Sequence, residues 1–408
     1  MKIERRKVTD NKIHSVTKDV TWVGVLDPDL VTFDVVMETK YGTTYNSYFI
    51  NAKKKTLVET VKEKFWDVYL EKLKKVVNPE EIEYIILDHT EPDHSGCLAN
   101  LLQLAKNATV VASGTGIRNL EYLLGFKFKH IAVKDGQTID LGDKTLQFIS
   151  APNLHWPDSI FTYLREDELL FTCDAFGEHY CDENVFNDLS GDFDEAFKYY
   201  FDVIMSPFSK FVIQAIEKIR PLKIWSICTG HGPVLRENWQ KYVDLSEKYA
   251  LEVLENPKPN TVLIAYVSAY KNTGIIAERI AEGIRQAGDV EVDLCDIEKL
   301  TLREIEKKII HSSALILGCP TFNQNILLPV YQVFSILNPI RDRGKLAGAF
   351  GSHGWSGEGT RLITTTLSNL KLKVIEETLD VKFTPHKDDL ERCIAFGKSF
   401  GAKLLGKK

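Results

Sequence analysis

No two cysteines in this chain stand as C-x-x-C, no stretch reaches eighteen apolar residues, and there is no excess of basic charge. Each absence excludes a class. The seven cysteines (Cys97, Cys173, Cys181, Cys228, Cys295, Cys319 and Cys393) are odd in number and mostly lie in or beside apolar runs. Reduced, buried thiols in a cytoplasmic protein are expected, and an in-chain rubredoxin or zinc ribbon, which need paired cysteines, is excluded. Without a long apolar run, a membrane-spanning helix is not expected. The first residues, MKIERRKVTDNK, are charged and lack an apolar core or small-residue cleavage site, so neither is a secretory leader. A net charge of −6 and a pI of about 6.0 provide no basic field for nucleic acid or an anionic membrane. G-x-G-x-x-G is absent, which disfavours a dinucleotide; so are the P-loop pattern and H-E-x-x-H, which disfavours an NTPase and a zincin.

What remains is an ordinary soluble composition, 44% hydrophobic and 26% charged over 408 residues, with room for two or three domains. ENPKPN (255–260) separates a helical run from the strand TVLIAYV and reads as a linker, because proline cannot continue the helix. The domains expected are 1–254 and 259–408. In the first, YGTTYNSYFI, EYIILD, ATVVAS, TLQFIS, SIFTYL, ELLFTCD and IWSICTG are β-branched and aromatic, with helical patterns such as LANLLQLAKN and FDEAFKYYFDVIMSPFSKFVIQAIEKI between them. An α/β sandwich follows. In the second, TVLIAYV, DVEVDLCD, ALILGCP, KLAGAFGS and KLKVIEETL alternate with helix-length segments, the pattern of a doubly wound parallel sheet.

LDHTEPDHSG (87–96) packs His89, Glu91, Asp93 and His94 directly behind the strand EYIILD, with Ser95 placed to cap the next helix. A strand end is a rigid support that still faces a crevice. The placement recurs at His155 after TLQFIS, at Asp174 after ELLFTC, and at His231 after IWSICT. Taken singly, a histidine behind a strand is more often a loop residue, and the cluster alone also reads as a solvated acidic loop. Four strand ends carrying such donors are better explained by a metal site. Glu91–His94 spells E-x-x-H, but Pro92 and the preceding strand oppose a helix there and no second copy exists, against a four-helix carboxylate site. Three carboxylates among the donors supply hard oxygen ligands and negative charge, which favours iron over the imidazole-rich sets of zinc hydrolases. His179 and Trp156 flank these residues and are expected to support or pack against the ligands.

H-T-E-P-D-H, APNLHWPDS, DAFGEH and TGHGP, in that order, resemble the flavodiiron proteins. The resemblance implies a metallo-β-lactamase-like αββα sandwich with a non-haem diiron centre. One iron would be held by His89, Glu91 and His155, the other by Asp93, His94 and His231, with Asp174 bridging. His94 is the ligand that varies in the family, where water takes its place in some members.

In the second domain, Ser268, Ala269, Tyr270, Lys271, Asn272 and Thr273 lie between a strand and a helix, and a hydroxyl-rich loop there offers donors to a phosphate. Alone, this is equally an ordinary strand-to-helix turn. Pro320, Thr321, Phe322 and Asn323 follow the next strand, suited to lining a flat heterocycle. Ser352, His353, Gly354 and Trp355 follow another, with Trp355 suited to stacking on a ring. This domain resembles flavodoxin, and G-W-S-G-E looks like the flavodiiron variety, which implies FMN. Ala269 and Lys271 stand where the family usually has Met and Gly.

The resemblance further implies reduction of dioxygen to water and/or nitric oxide to nitrous oxide. Electrons would come from an external donor: a rubredoxin, an NADH-linked reductase or a reduced deazaflavin coenzyme. It also implies a head-to-tail homodimer, or a dimer of dimers, that brings one subunit's flavin to the other's iron. Competing readings are a metallohydrolase with an accessory flavodoxin domain, which Glu91 argues against, and a non-catalytic diiron sensor.

Overall fold

The computed structural model describes residues 12–33 and 37–406; nearly all of the segment read for a leader lies outside them. The chain divides into two compact units, residues 1–251 and 252–408. The helix Trp239–Leu254 ends before the proline segment, and the next strand, Lys258–Tyr266, starts inside it, earlier than TVLIAYV.

Two sheets face each other in the first unit. The larger runs in the order His14–Ser15, Val20–Trp22, Tyr48–Ile50, Lys55–Val58, Ile82–Ile86, Thr109–Ser113, His130–Val133. Its first three junctions are antiparallel and the last three parallel. The smaller has Thr138–Asp140, Thr145–Ser150, Ile160–Leu164, Leu169–Cys173 and Ser226–Thr229. Neighbouring residues of one strand point to opposite faces, and the cores divide accordingly. Tyr48, Ile86 and Val111 join Phe148, Leu164 and Phe171 between the sheets. Phe49, Ile85 and Val110 pack outward on Tyr69, Leu98, Leu101, Ile117 and Leu120, which belong to the helices Trp66–Lys74, Leu98–Leu104 and Gly114–Leu124.

Local departures have local causes. YGTTYNSYFI divides into Thr43–Tyr45, which pairs with Val25–Asp27, and Tyr48–Ile50, which joins the large sheet. The long helical run after Phe193 breaks into Asp194–Tyr200 and Ser209–Ile219 around irregular turns that contain Pro207, since proline lacks the N–H and crowds the preceding turn.

The second unit is a parallel sheet in the order Glu291–Asp296, Lys258–Tyr266, Ser312–Pro320, Leu346–His353, Lys373–Val374, with Leu379–Lys382 also pairing Leu346–His353. KLKVIEETL is therefore not one strand: it holds the short strand Lys373–Val374 and the first residue of Leu379–Lys382. Helices cover both faces, as a doubly wound fold requires. Ile276 and Ile280 of Asn272–Ala287 and Phe400 of Lys387–Leu404 pack with Ile264, Ile316 and Phe350. Ile305, Val330 and Ile363, from the other three helices, pack with Leu263 and Leu315. Gly283 and Gly397 let the first pair of helices meet backbone to backbone: a Cβ on either would collide with the carbonyl of Ile394 or Ile280. Among the described residues no helix is long and apolar enough to cross a membrane; Cys97, Cys173, Cys228, Cys295, Cys319 and Cys393 are buried thiols, and Cys181 is half-buried.

Candidate metal centre

All seven residues expected to hold metal converge at the strand ends of the first unit, and they divide into two sets. His89 Nε2 and His155 Nε2 each lie 3.1 Å from Glu91 Oε2, and 3.6 and 3.5 Å from Asp174 Oδ2. His231 Nε2 lies 3.1 Å from Asp93 Oδ2 and 3.4 Å from Asp174 Oδ1. His94 Nε2 lies 3.1 Å from Asp174 Oδ1 and 3.6 Å from Asp93 Oδ2. The Asp174 carboxylate thus presents one oxygen to each set.

The loop that carries four of them corrects two expectations. Pro92 does not prevent helix; it opens the four-residue turn Pro92–Ser95, with Glu91 at the cap position, because a proline at a first helical position has no N–H to lose. Ser95 caps nothing: it lies within that turn, and its hydroxyl donates to the carbonyls of Thr90 and Glu91. The turn carries Asp93 and His94 on adjacent positions while Glu91 stays at its mouth.

Groups remote in sequence orient the imidazoles. Asp158 Oδ2 stands 3.2 Å from His89 Nδ1 and also accepts from Thr90 N and Thr90 Oγ1. The Thr44 carbonyl stands 2.6 Å from His231 Nδ1. In both cases the outward nitrogen donates, which turns Nε2 inward toward the carboxylates as the atom free to bind a metal in place of a proton. Sequence reading missed Asp158 and Thr44; Asp158 lies in the quoted APNLHWPDS, three residues beyond His155, but nothing in the pattern marks a buried carboxylate as a partner. His179 and Trp156 fall beside the centre. The Trp156 ring stands perpendicular to His89 at 5.1 Å, and His179 Nδ1 meets Thr43 Oγ1 at 2.9 Å.

The electrostatics fit a cation. Burial alone would raise Asp93 and Asp174, but the imidazoles of His94 and His231 around Asp93, and those of His94 and His89 around Asp174, hold both below the usual carboxylate range. Burial would lower His89, yet Asp158 and Glu91 push it well above the ordinary imidazole value. Both oxygens of Asp93 and Oδ2 of Asp174 are buried without a hydrogen bond. Buried carboxylate oxygens that take no hydrogen bond are costly, and metal ions in place of the imidazole protons would satisfy them.

In the second unit a cavity of about 300 Å³ is lined by Tyr270, Asn272, Pro320, Thr321, Phe322, Asn323, Ser352, His353, Gly354, Trp355 and Phe383. Ser268, Ala269, Lys271 and Thr273 belong to the adjoining strand-to-helix loop; Ser268 Oγ accepts from Gly274 N, and Thr273 Oγ1 meets Ser352 Oγ at 2.9 Å. Lys271 precedes the helix Asn272–Ala287 in the left-handed region and gives it no side-chain cap; Ser268 takes the Gly274 N–H of the first turn, and the N–H groups of Asn272 and Thr273 are placed to meet an anion. Phe383 was not anticipated, because it follows a strand, Leu379–Lys382, of which only Leu379 falls within KLKVIEETL.

The ODP beta-lactamase family matches residues 43–232 and the flavodoxin family residues 264–397. The type A flavoprotein of Rhodobacter capsulatus is 41% identical over 399 residues, 96% of this chain and 92% of that protein. The flavo-diiron protein FprA2 of Clostridium acetobutylicum is 39% identical, covering 94% and 97%. The chain belongs to the flavodiiron, or type A flavoprotein, family. Among solved structures, rubredoxin oxygen:oxidoreductase from Desulfovibrio gigas superposes with a TM-score of 0.72 at 28% identity, over 97% of this chain and 99% of the other. The flavodiiron protein of Giardia intestinalis gives 0.67 at 27%, over 99% and 98%.

Flavodiiron proteins carry a diiron centre, and the flavodoxin domain implies FMN. The two-part donor set, with its unpartnered carboxylate oxygens, suits the first. The aromatic-walled cavity beside a helix N-terminus that its own N-cap residue leaves open suits the second.

Proposed function

We propose that this flavodiiron oxidoreductase reduces dioxygen to two waters (four electrons, four protons) and/or two nitric oxides to nitrous oxide and water (two electrons, two protons). The observation that carries the proposal is the Asp174 carboxylate, with Oδ2 facing His89 and His155 and Oδ1 facing His94 and His231. In this reading His89, Glu91 and His155 hold one iron, Asp93, His94 and His231 the other, and Asp174 joins them. The loop Ser268–Thr273, Pro320–Asn323 and Ser352–Trp355 hold FMN. When bound, the irons and the flavin supply two electrons each. The chain's own part is positional. Asp158 and Thr44 fix which nitrogen of His89 and His231 faces inward, and burial of the carboxylates keeps bulk water from competing for the donors.

Residues 1–254 are the diiron domain and 259–408 the FMN domain in this proposal. Electrons enter from an external donor: a rubredoxin, an NADH-linked reductase or a reduced deazaflavin coenzyme. The similarity to rubredoxin oxygen:oxidoreductase supports the first of these. A head-to-tail homodimer, alone or paired into a tetramer, brings each flavin to the partner's irons, and the protein works in the cytoplasm. The test is anaerobic stopped-flow of the fully reduced protein against each gas, after counting metals. About two irons and one FMN per chain with multiple turnovers are expected. Zinc alone with hydrolytic turnover, or a single oxidation without turnover, overturns the proposal.

A further inference from the structure

The cluster holds three fully buried histidines, and two have an outward nitrogen with a partner: His89 on Asp158 and His231 on the Thr44 carbonyl. His94 differs. Its Nδ1 is buried without a hydrogen bond, and so is Glu59 Oε2, which faces it at 3.9 Å. That gap is too long for a hydrogen bond, yet two unsatisfied polar atoms facing each other out of water's reach are the costly arrangement that a small shift repairs. Glu59 is held in place, since its other oxygen accepts from Asp88 N at 2.6 Å. The ring has a glycine beside it: a Cβ at Gly230 would stand 2.8 Å from His94 Cε1. The thiol of Cys173, which lies beside His94 and Glu59, is a poor acceptor.

We propose that Glu59 is the positioning residue of His94: its free carboxylate oxygen accepts the Nδ1 hydrogen and so commits Nε2 to the metal shared by Asp93, His231 and Asp174. A neutral imidazole carries one N–H. With that hydrogen outward on Glu59, Nε2 has its lone pair inward; with the hydrogen on Nε2, that nitrogen cannot ligate. Glu59 thereby decides whether this position is filled by imidazole. The inference rests on the reading of His94 as a ligand.

Glu59→Gln tests it without changing size. The single amide oxygen is claimed by Asp88 N–H, and the amide nitrogen then confronts Nδ1–H, donor against donor. In the FMN-loaded protein, chelator competition is expected to show the second iron held about 10–100-fold more weakly, the range for loss of a group that orients a metal-bound histidine. One of two Mössbauer doublets changes and the other does not. His94→Ala weakens the same iron, and the double variant is no weaker than His94→Ala alone. Wild-type iron affinity in Glu59→Gln, or losses that add, overturns the inference while leaving the ligand reading intact. Unchanged affinity in His94→Ala overturns both. Independently of any variant, ¹⁵N spectra of the zinc-loaded wild-type protein are expected to find the His94 proton on Nδ1, shifted downfield by a hydrogen bond; a proton on Nε2 refutes the assignment.

Discussion

Asp158 offers a quantitative test of how much of the centre is built by residues that do not touch metal. Its Oδ2 has His89 Nδ1 at 3.2 Å, Thr90 N at 2.8 Å and Thr90 Oγ1 at 2.6 Å, and the residue is buried. Hydrogen bonds to a charged acceptor contribute about 1.5–3 kcal/mol each, but three on one atom are not additive. Asp158→Ala leaves three buried donors and is expected to cost the metal-free protein about 3–5 kcal/mol, read from urea unfolding. Asp158→Asn keeps the shape and one acceptor while losing the charge, so its stability cost is about 1–2 kcal/mol. The metal should respond differently. Both variants lose the anion that makes His89 a stronger ligand, and affinity at the His89–Glu91–His155 position falls about 10–100-fold. Comparable metal loss with unequal destabilisation is the expected signature. If iron affinity instead tracks the unfolding free energy across the two variants, Asp158 is only a packing residue and the reasoning fails.

Other consequences follow from the second unit. Asp342 is buried between Arg341 and Lys345; burial would raise its carboxyl, but these two cations hold it below its ordinary value. Its contribution is therefore complete above the unfolded carboxylate value and fades as pH falls through the lower folded one. Asp342→Asn should cost about 3–5 kcal/mol at neutral pH by denaturant titration and flatten the acid limb of the stability curve. Phe383→Ala and Trp355→Ala should each weaken FMN about tenfold, near 1.4 kcal/mol, in fluorescence titrations of the flavin-free protein. Unchanged binding in Phe383→Ala would remove that residue from the site. Gly283→Ala forces apart helices that meet at the Ile394 carbonyl, and should cost about 3 kcal/mol, a fall in melting temperature of roughly 5–10 °C, without touching the metal unit.

The residues of the candidate metal centre were legible in the amino-acid order because they follow hydrophobic strands within a few positions, and an apolar, β-branched run followed by His, Glu or Asp is a local signal. The fold of both units was legible for the same reason. Residues acting through another residue were not. Asp158, Thr44 and Glu59 reach the centre only through tertiary approach, and a carboxylate before EYIILD or behind HWP looks like any surface acid until the sandwich closes over it. Short elements were lost similarly: Leu379–Lys382 lies too close to Lys373–Val374 for periodicity to separate them, and Phe383 was lost with it. Pro92 opens a helical turn rather than barring one, since a helix can begin at a residue through which it cannot continue.

Glu91 is where sequence and geometry meet. Its Oε2 lies 3.1 Å from Nε2 of both His89 and His155, so one oxygen faces both imidazoles of its set. A histidine there would bring a third imidazole and no charge. With Glu91, Asp93 and Asp174 ionised, the donors carry three negative charges against four from two divalent ions. With imidazole in place of Glu91 they carry two. In a buried site that unit of charge is worth far more than in water, and it weighs most when the metals are oxidised and their own charge rises. A hydrolytic pair keeps one charge throughout and gains nothing further from the anion during turnover; a redox pair gains more from it as its charge rises. The carboxylate's value therefore lies in the difference between two oxidation states, which a contact distance in either state alone does not register.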